Sequence, residues 1–104
     1  MALQVKTEER NGTFVIAVAG EVDLYTSPDL RKAILDAVKK KSGIGVDLSC
    51  VPYMDSSGVA TLVEGLQGAS KKKAAFSLIA PSGAVMKVLQ LARLDAVFDI
   101  RDTA

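Results

Sequence analysis

The chain has no histidine and no tryptophan, one cysteine, and only 5% aromatic residues among its 104. Each shortage excludes something. Without histidine the commonest general base and a frequent metal ligand are missing, so a serine-histidine triad and the ordinary zinc sites are disfavoured. No catalytic and no metal-ligating residue is expected, and no cofactor. Cys50 cannot form an internal disulfide, and its place beside an apolar run reads as a small buried hydrophobe. The Met1-Ala2-Leu3-Gln4-Val5 start lacks a basic segment followed by an apolar one. Nowhere do about 18 apolar residues follow one another, so no membrane insertion is expected and the chain reads as cytoplasmic. Charge of one sign is lacking too. Lys and Arg number 13 against 12 Asp and Glu, which removes the broad basic footprint of a nucleic-acid binder. Direct nucleic-acid contact is therefore not expected, and any partner is read locally.

What the chain does have is 49% hydrophobic residues, mostly Val, Leu, Ile and Ala, at a length that suits one domain over 1–104. Leu3, Val5 and Thr7 alternate with Gln4, Lys6 and Glu8 as in a half-exposed strand, and Asn11-Gly12 is a strong hairpin signal. In Thr13 to Ala19 both faces are apolar, which predicts a strand inside a sheet. Ser27 followed by Pro28 reads as an N-cap with proline at the first helical position, opening a helix from Pro28 to about Lys40. Leu30, Ala33, Ile34, Ala37 and Val38 recur at helical spacing, and Lys39-Lys40-Lys41 before Ser42-Gly43 supplies cations and a glycine stop. Ile44, Val46 and Leu48 predict the inward face of a third strand. A second helix is expected from near Ser57, with Val59, Leu62, Val63 and Leu66 on one face and Lys71-Lys72-Lys73 at its end. Ala74 to Ala80 reads as a fourth strand. Pro81-Ser82 then opens a third helix carrying Val85, Val88, Leu89 and Ala92, and the tail from Val97 to Ile100 is ambiguous. Alternating strands and helices predict an α/β fold: a small open mixed β-sheet of about four to five strands, packed with amphipathic helices.

Between the third strand and the second helix stands Met54-Asp55-Ser56-Ser57-Gly58. Three chemistries compete for it. Asp55, Ser56 or Ser57 can cap the helix, with Gly58 allowing close backbone approach. A serine nucleophile is the second, but no Gly-x-Ser-x-Gly elbow and no histidine support it. The third is reversible phosphorylation, which adds about two negative charges at a helix start whose amides and dipole favour an anion. The spacing alone does not choose between Ser56 and Ser57.

Three segments resemble STAS domains. Gly20-Glu21-Val22-Asp23-Leu24-Tyr25-Thr26 is similar to their Gly-Glu-(apolar)-Asp-x-x-Thr segment, Tyr53-Met54-Asp55-Ser56-Ser57-Gly58-Val59 to their Asp-Ser-Ser-Gly loop, and Leu91-Ala92-Arg93-Leu94-Asp95-Ala96-Val97-Phe98 to their closing segment. The pattern is most like that of bacterial anti-sigma factor antagonists. The resemblance implies a partner-switching protein rather than an enzyme. In that family the unphosphorylated antagonist binds an anti-sigma factor that is also a serine kinase, a sigma factor is released, and a serine phosphatase reverses the phosphorylation. Carried over, Ser56 is the phospho-acceptor, Ser57 and Gly58 continue the loop, Asp55 shapes it, and Asp23 with Thr26 lies on the neighbouring loop of the binding face.

Two other functions stay open. Some STAS proteins are accessory subunits of a phospholipid-transport ABC complex, where the partner is a transporter ATPase; Met86 and Leu91 would suit such a contact or a wide core face. A small nucleotide-binding regulatory protein is the other, although no Gly-x-x-x-x-Gly-Lys-Ser/Thr or Gly-x-Gly-x-x-Gly string occurs and a phosphate cradle would rest on Ser57-Gly58 alone.

Overall fold

The computed structural model describes residues 3–103; Met1 and Ala2, whose sequence bears on a leader segment, lie outside them. The chain runs β1 (Gln4–Arg10), β2 (Thr13–Ala19), α1 (Ser27–Lys40), β3 (Gly43–Cys50), α2 (Ser56–Lys71), β4 (Ala75–Ile79), α3 (Gly83–Leu91) and β5 (Asp99–Arg101). The strands form one sheet in chain order, with β1 antiparallel to β2 and every later neighbour parallel. Asn11 and Gly12 both take positive φ, at 51° and 80°, the backbone that a two-residue hairpin turn needs to match strand twist. The α/β mixed sheet expected from the sequence is observed, and the ambiguous tail supplies its fifth strand, with Leu78 paired to Ile100.

Each helix joins neighbouring parallel strands, so right-handed crossovers stack α1, α2 and α3 on one face of the sheet. That face holds the core. Ile16, Ile44, Val46, Leu48 and Leu78 from the strands meet Leu30 and Ile34 of α1, Leu62 of α2 and Leu89 of α3, all at most 1% exposed. Burying one such side chain is worth about 1.5–3 kcal/mol before the entropy of ordering it. The first two helices pack closely at Gly65, where a Cβ would stand 2.6 Å from Ile34 Cγ2 and 2.8 Å from Phe76 Cζ.

The other face of the sheet carries no helix and is covered by its own side chains. Arg10 reaches from β1 across β2 to Asp47 on β3, Nη1 to Oδ2 at 3.1 Å. Ile79 lies over Gly45, and Val15 beside them is fully buried. Burial by itself would raise the Asp47 carboxyl, but the Ser49 amide and hydroxyl and the Arg10 guanidinium outweigh it and hold it below its ordinary value.

Several expectations about boundaries are corrected. Cys50 is exposed, not buried: the register shifts between Ala17 and Ala19, and Cys50 is carried to the end of β3 opposite Ala19. Gly43 belongs to β3 and does not stop α1, whose C-cap Lys41 is extended. The other two helices end on left-handed residues that are not glycine. Lys73 has φ 58°, with Ala74 N–H bonded to Ala69 O and Lys73 N–H to Ser70 O; Arg93 has φ 60°, with Leu94 N–H bonded to Leu89 O and Arg93 N–H to Gln90 O. Both are Schellman closures, and each places a non-glycine residue in a conformation costing about 1–2 kcal/mol. The second closure ends α3 at Leu91, so Ala92 is exposed rather than on the buried face. Met86 packs against the core, while Leu91 is exposed.

Candidate functional site

The loops leaving β2 and β3 continue side by side past the sheet. Gly20 N–H bonds to Cys50 O at 3.1 Å, Val22 N–H to Tyr53 O at 2.9 Å, and Asp55 N–H to Val22 O at 3.1 Å. These bonds pair Val22 with Met54 in an isolated parallel bridge, and both side chains are buried. Gly58 sits against them: a Cβ there would lie 2.6 Å from Met54 Cγ and 2.8 Å from Val22 Cγ1. The two loops therefore form one rigid edge at the carboxyl ends of the parallel strands. The start of α3 is tied to the same edge, since Ser82 Oγ donates to Val51 O at 2.6 Å and accepts from Val85 N–H at 3.3 Å.

On the first loop Asp23 and Thr26 cap each other. The Asp23 carboxylate accepts from Tyr25 N–H at 2.9 Å and Thr26 N–H at 3.0 Å, and Thr26 Oγ1 accepts from Asp23 N–H at 2.9 Å. The Thr26 hydroxyl donates to Glu21 O at 2.8 Å. This is a reciprocal capping box set one turn before Pro28. Ser27, expected to be the N-cap, is instead the first residue of α1 and buried, because Thr26 before it is already helical with φ −99° and ψ −23°. Asp23 and Thr26 thus hold the loop, and what they hold outward is Leu24, 68% exposed, and Tyr25, 87% exposed.

On the second loop Asp55 is the N-cap of α2, which begins at Ser56. Its Oδ1 accepts from Ser57 N–H at 2.9 Å, from Ser57 Oγ at 2.5 Å and from Gly58 N–H at 3.4 Å. The Ser57 hydroxyl above all, with the Ser57, Gly58 and Leu24 amides, holds the Asp55 carboxyl below its ordinary value against the opposing effect of burial. The Asp55 N–H to Val22 O bond links the two loops. Ser57 has its only hydroxyl proton committed to Asp55. Ser56 is exposed, and its side chain makes no hydrogen bond among the described residues. The two serines left open by their spacing are therefore in different states: one is tied, the other offered.

The structure brings Asp23, Thr26, Asp55, Ser56, Ser57 and Gly58 together on this edge. A groove of about 520 Å3 leads away from Ser57 between α1 and α2, crossed by Arg31 Nε to Glu64 Oε2 at 2.9 Å. Among the described residues no group of acidic or thiol side chains could hold a metal, and no helix is long and apolar enough to cross a membrane. Sequence reading missed Leu24, Tyr25 and Tyr53, which are exposed. For Leu24 and Tyr25 the signal was present, since they are the two residues that the Asp23 and Thr26 capping box encloses.

The STAS domain model matches residues 4–104. The anti-sigma-B factor antagonist of Listeria monocytogenes is 29% identical over 105 residues, covering 98% of this chain and 91% of the relative. Among solved structures, an anti-sigma factor antagonist from Mycobacterium paratuberculosis superposes with a TM-score of 0.87 at 28% identity, covering 97% of this chain and 86% of that one. The antagonist SpoIIAA in its unphosphorylated form gives a TM-score of 0.76 at 25% identity, covering 93% and 87% of the two chains. The phosphorylated form of SpoIIAA, from Bacillus, shares the fold at a TM-score of 0.73 and 24% identity, covering 96% and 92%.

Proposed function

The chain belongs to the STAS domain family, and we propose that it is an anti-sigma factor antagonist working by phosphorylation-controlled partner switching, with Ser56 as the phospho-acceptor. One observation carries the choice of serine: Ser56 is exposed with an uncommitted hydroxyl, whereas Ser57 donates to Asp55. A kinase needs a hydroxyl it can reach and deprotonate, and Ser57 would first have to give up its bond to the Asp55 carboxylate.

The same geometry explains why a phosphate on Ser56 leaves the fold intact. The Ser57 and Gly58 amides at the start of α2 already hold the Asp55 carboxylate. A phosphate on the exposed first residue of the helix therefore projects into solvent, where the helix dipole favours it and Asp55 opposes it. It is felt by whatever covers the edge. A dianion taken unpaired into a desolvated interface costs several kcal/mol, which at about 1.4 kcal/mol per decade is a thousandfold in affinity. The unphosphorylated chain then binds the anti-sigma factor kinase and a sigma factor is released; phosphorylation dissolves that complex and a serine phosphatase restores it. The chain itself supplies no catalytic group. Relatives named anti-sigma factor antagonists support this reading over a transporter subunit.

The test is a competition on a sizing column. The unphosphorylated chain should displace a sigma factor from its anti-sigma factor kinase and co-elute with the kinase, and the phosphorylated chain should do neither. Equal behaviour of the two forms would contradict the proposal.

A further inference from the structure

We infer that Leu24 and Tyr25, with Tyr53 beside them, form the apolar anchor by which this chain seats in a hydrophobic pocket of the anti-sigma factor. The inference deepens the proposed function and rests on it. Exposed apolar side chains scattered singly over a surface carry no meaning. These three are not scattered. Leu24 and Tyr25 are consecutive on one turn, and that turn is pinned by the Asp23 carboxylate, the Thr26 hydroxyl and the Glu21 carbonyl. Tyr53 stands on the loop bonded to the same turn, its carbonyl accepting from Val22 N–H.

The anchor is continuous with Ser56. The N–H of Asp55, the residue just before it, bonds to Val22 O at the start of the same turn at 3.1 Å. A pocket that closes over Tyr25 and Leu24 therefore has the Ser56 hydroxyl at its border. The turn is already fixed, so seating it orders two or three side chains and no backbone, the economical form of an interface. Tyrosine in a desolvated pocket is among the residues that most often dominate binding, and the near-neutral contacts around it serve to exclude water.

Charge identifies the kind of partner. From Gly20 to Leu30 and from Val51 to Leu62 the only charged residues are Glu21, Asp23, Asp29 and Asp55; Arg31 and Lys32 follow in the groove between α1 and α2, where Arg31 is paired with Glu64. An anionic lipid surface is repelled by such an edge. A protein pocket is not, provided it is apolar where the tyrosine enters. Asp23 and Thr26 then act as positioning residues, and the contact itself belongs to the side chains between them.

Calorimetry of the unphosphorylated chain with the anti-sigma factor kinase encoded in the same genome tests this. Tyr25→Ala should weaken Kd by about 30-fold or more and Leu24→Ala by about tenfold, as for central aromatic and aliphatic anchors. Tyr25→Phe should stay within about threefold of wild type, and Leu91→Ala, at the far end of α3, within about twofold. Because Tyr25 and Leu24 are exposed, thermal melts of the variants should overlay wild type. Wild-type binding that Tyr25→Ala leaves within twofold overturns the anchor while the proposed function stands. No wild-type complex at all overturns both. Binding of the chain to phosphatidylserine vesicles that Tyr25→Ala abolishes overturns the choice of a protein as occupant.

Discussion

The two loops of the carboxyl edge are built on the same device and offer different things. In each an aspartate accepts the amides two and three residues on: Tyr25 and Thr26 for Asp23, Ser57 and Gly58 for Asp55. In each the residue directly after the aspartate is left exposed, Leu24 in one and Ser56 in the other. The difference lies in the hydroxyl. The Thr26 hydroxyl has two acceptors, the Glu21 carbonyl at 2.8 Å and the Asp23 carboxylate at 3.2 Å, and the nearer one closes its own loop, whereas Ser57 has only the aspartate. The first loop is thereby a rigid mount for apolar side chains, and the second a rigid mount for one free hydroxyl. A cap that stabilises a helix also decides which neighbouring side chain is available to a partner.

The comparison can be broken at several strengths. The largest effect is on binding: Ser56→Asp should weaken the complex with the anti-sigma factor kinase by tenfold or more while Ser56→Ala leaves it near wild type, the full phosphate exceeding Asp because it carries more charge. Equal affinities in calorimetry would remove the electrostatic half of the argument. Gly58→Ala comes next. Its Cβ would collide with Met54 Cγ and Val22 Cγ1, neither of them a loose side-chain end, so denaturant unfolding should show a loss of about 1–3 kcal/mol. A change under about 0.5 kcal/mol would mean that the loops are not zipped as described.

The two caps should then cost similar amounts. Asp23→Ala and Asp55→Ala are each expected to lose about 1 kcal/mol, up to about 2, and Ser57→Ala about 1 kcal/mol or less because only the hydroxyl bond goes. If Ser57→Ala cost as much as Asp55→Ala, the hydroxyl rather than the amides would hold the loop. The smallest effect is with pH. Asp55 and Asp47 are both held below their ordinary values, so the folded chain binds their protons less readily than the unfolded one. Their contribution is complete above the ordinary carboxylate range and is lost as pH falls through the depressed folded values. Unfolding free energy should therefore decline below about pH 4, and Asp55→Asn should flatten part of that decline. An unchanged slope would place the acid sensitivity elsewhere.

Much of this was legible in the residues, for reasons that are local. Asn11-Gly12 fixes its hairpin through φ alone, and Leu30, Ile34 and Val38 fix a buried helix face through spacing. What was not legible depends on tertiary competition. Ser27-Pro28 satisfies the rule for a helix start, yet Asp23 and Thr26 begin the turn earlier because the bonded neighbouring loop fixes Val22. Lys73 and Arg93 end helices where a sequence rule looks for glycine, since closing the chain back onto Ala69 and Leu89 outweighs the left-handed backbone. Cys50 escapes burial through a register shift that no residue pattern announces. The Asp-Ser-Ser-Gly loop could be placed at a helix start from sequence, but which serine is free depends on where one proton goes.

That proton is the point to measure. The chain, Ser56→Ala and Ser57→Ala should each be incubated with the anti-sigma factor kinase and ATP, and the products mapped by mass spectrometry. Wild type and Ser57→Ala should each carry one phosphate, on Ser56, and Ser56→Ala none. Phosphate on Ser57 in the wild type, or undiminished uptake by Ser56→Ala, would contradict the assignment of Ser56 as the offered hydroxyl.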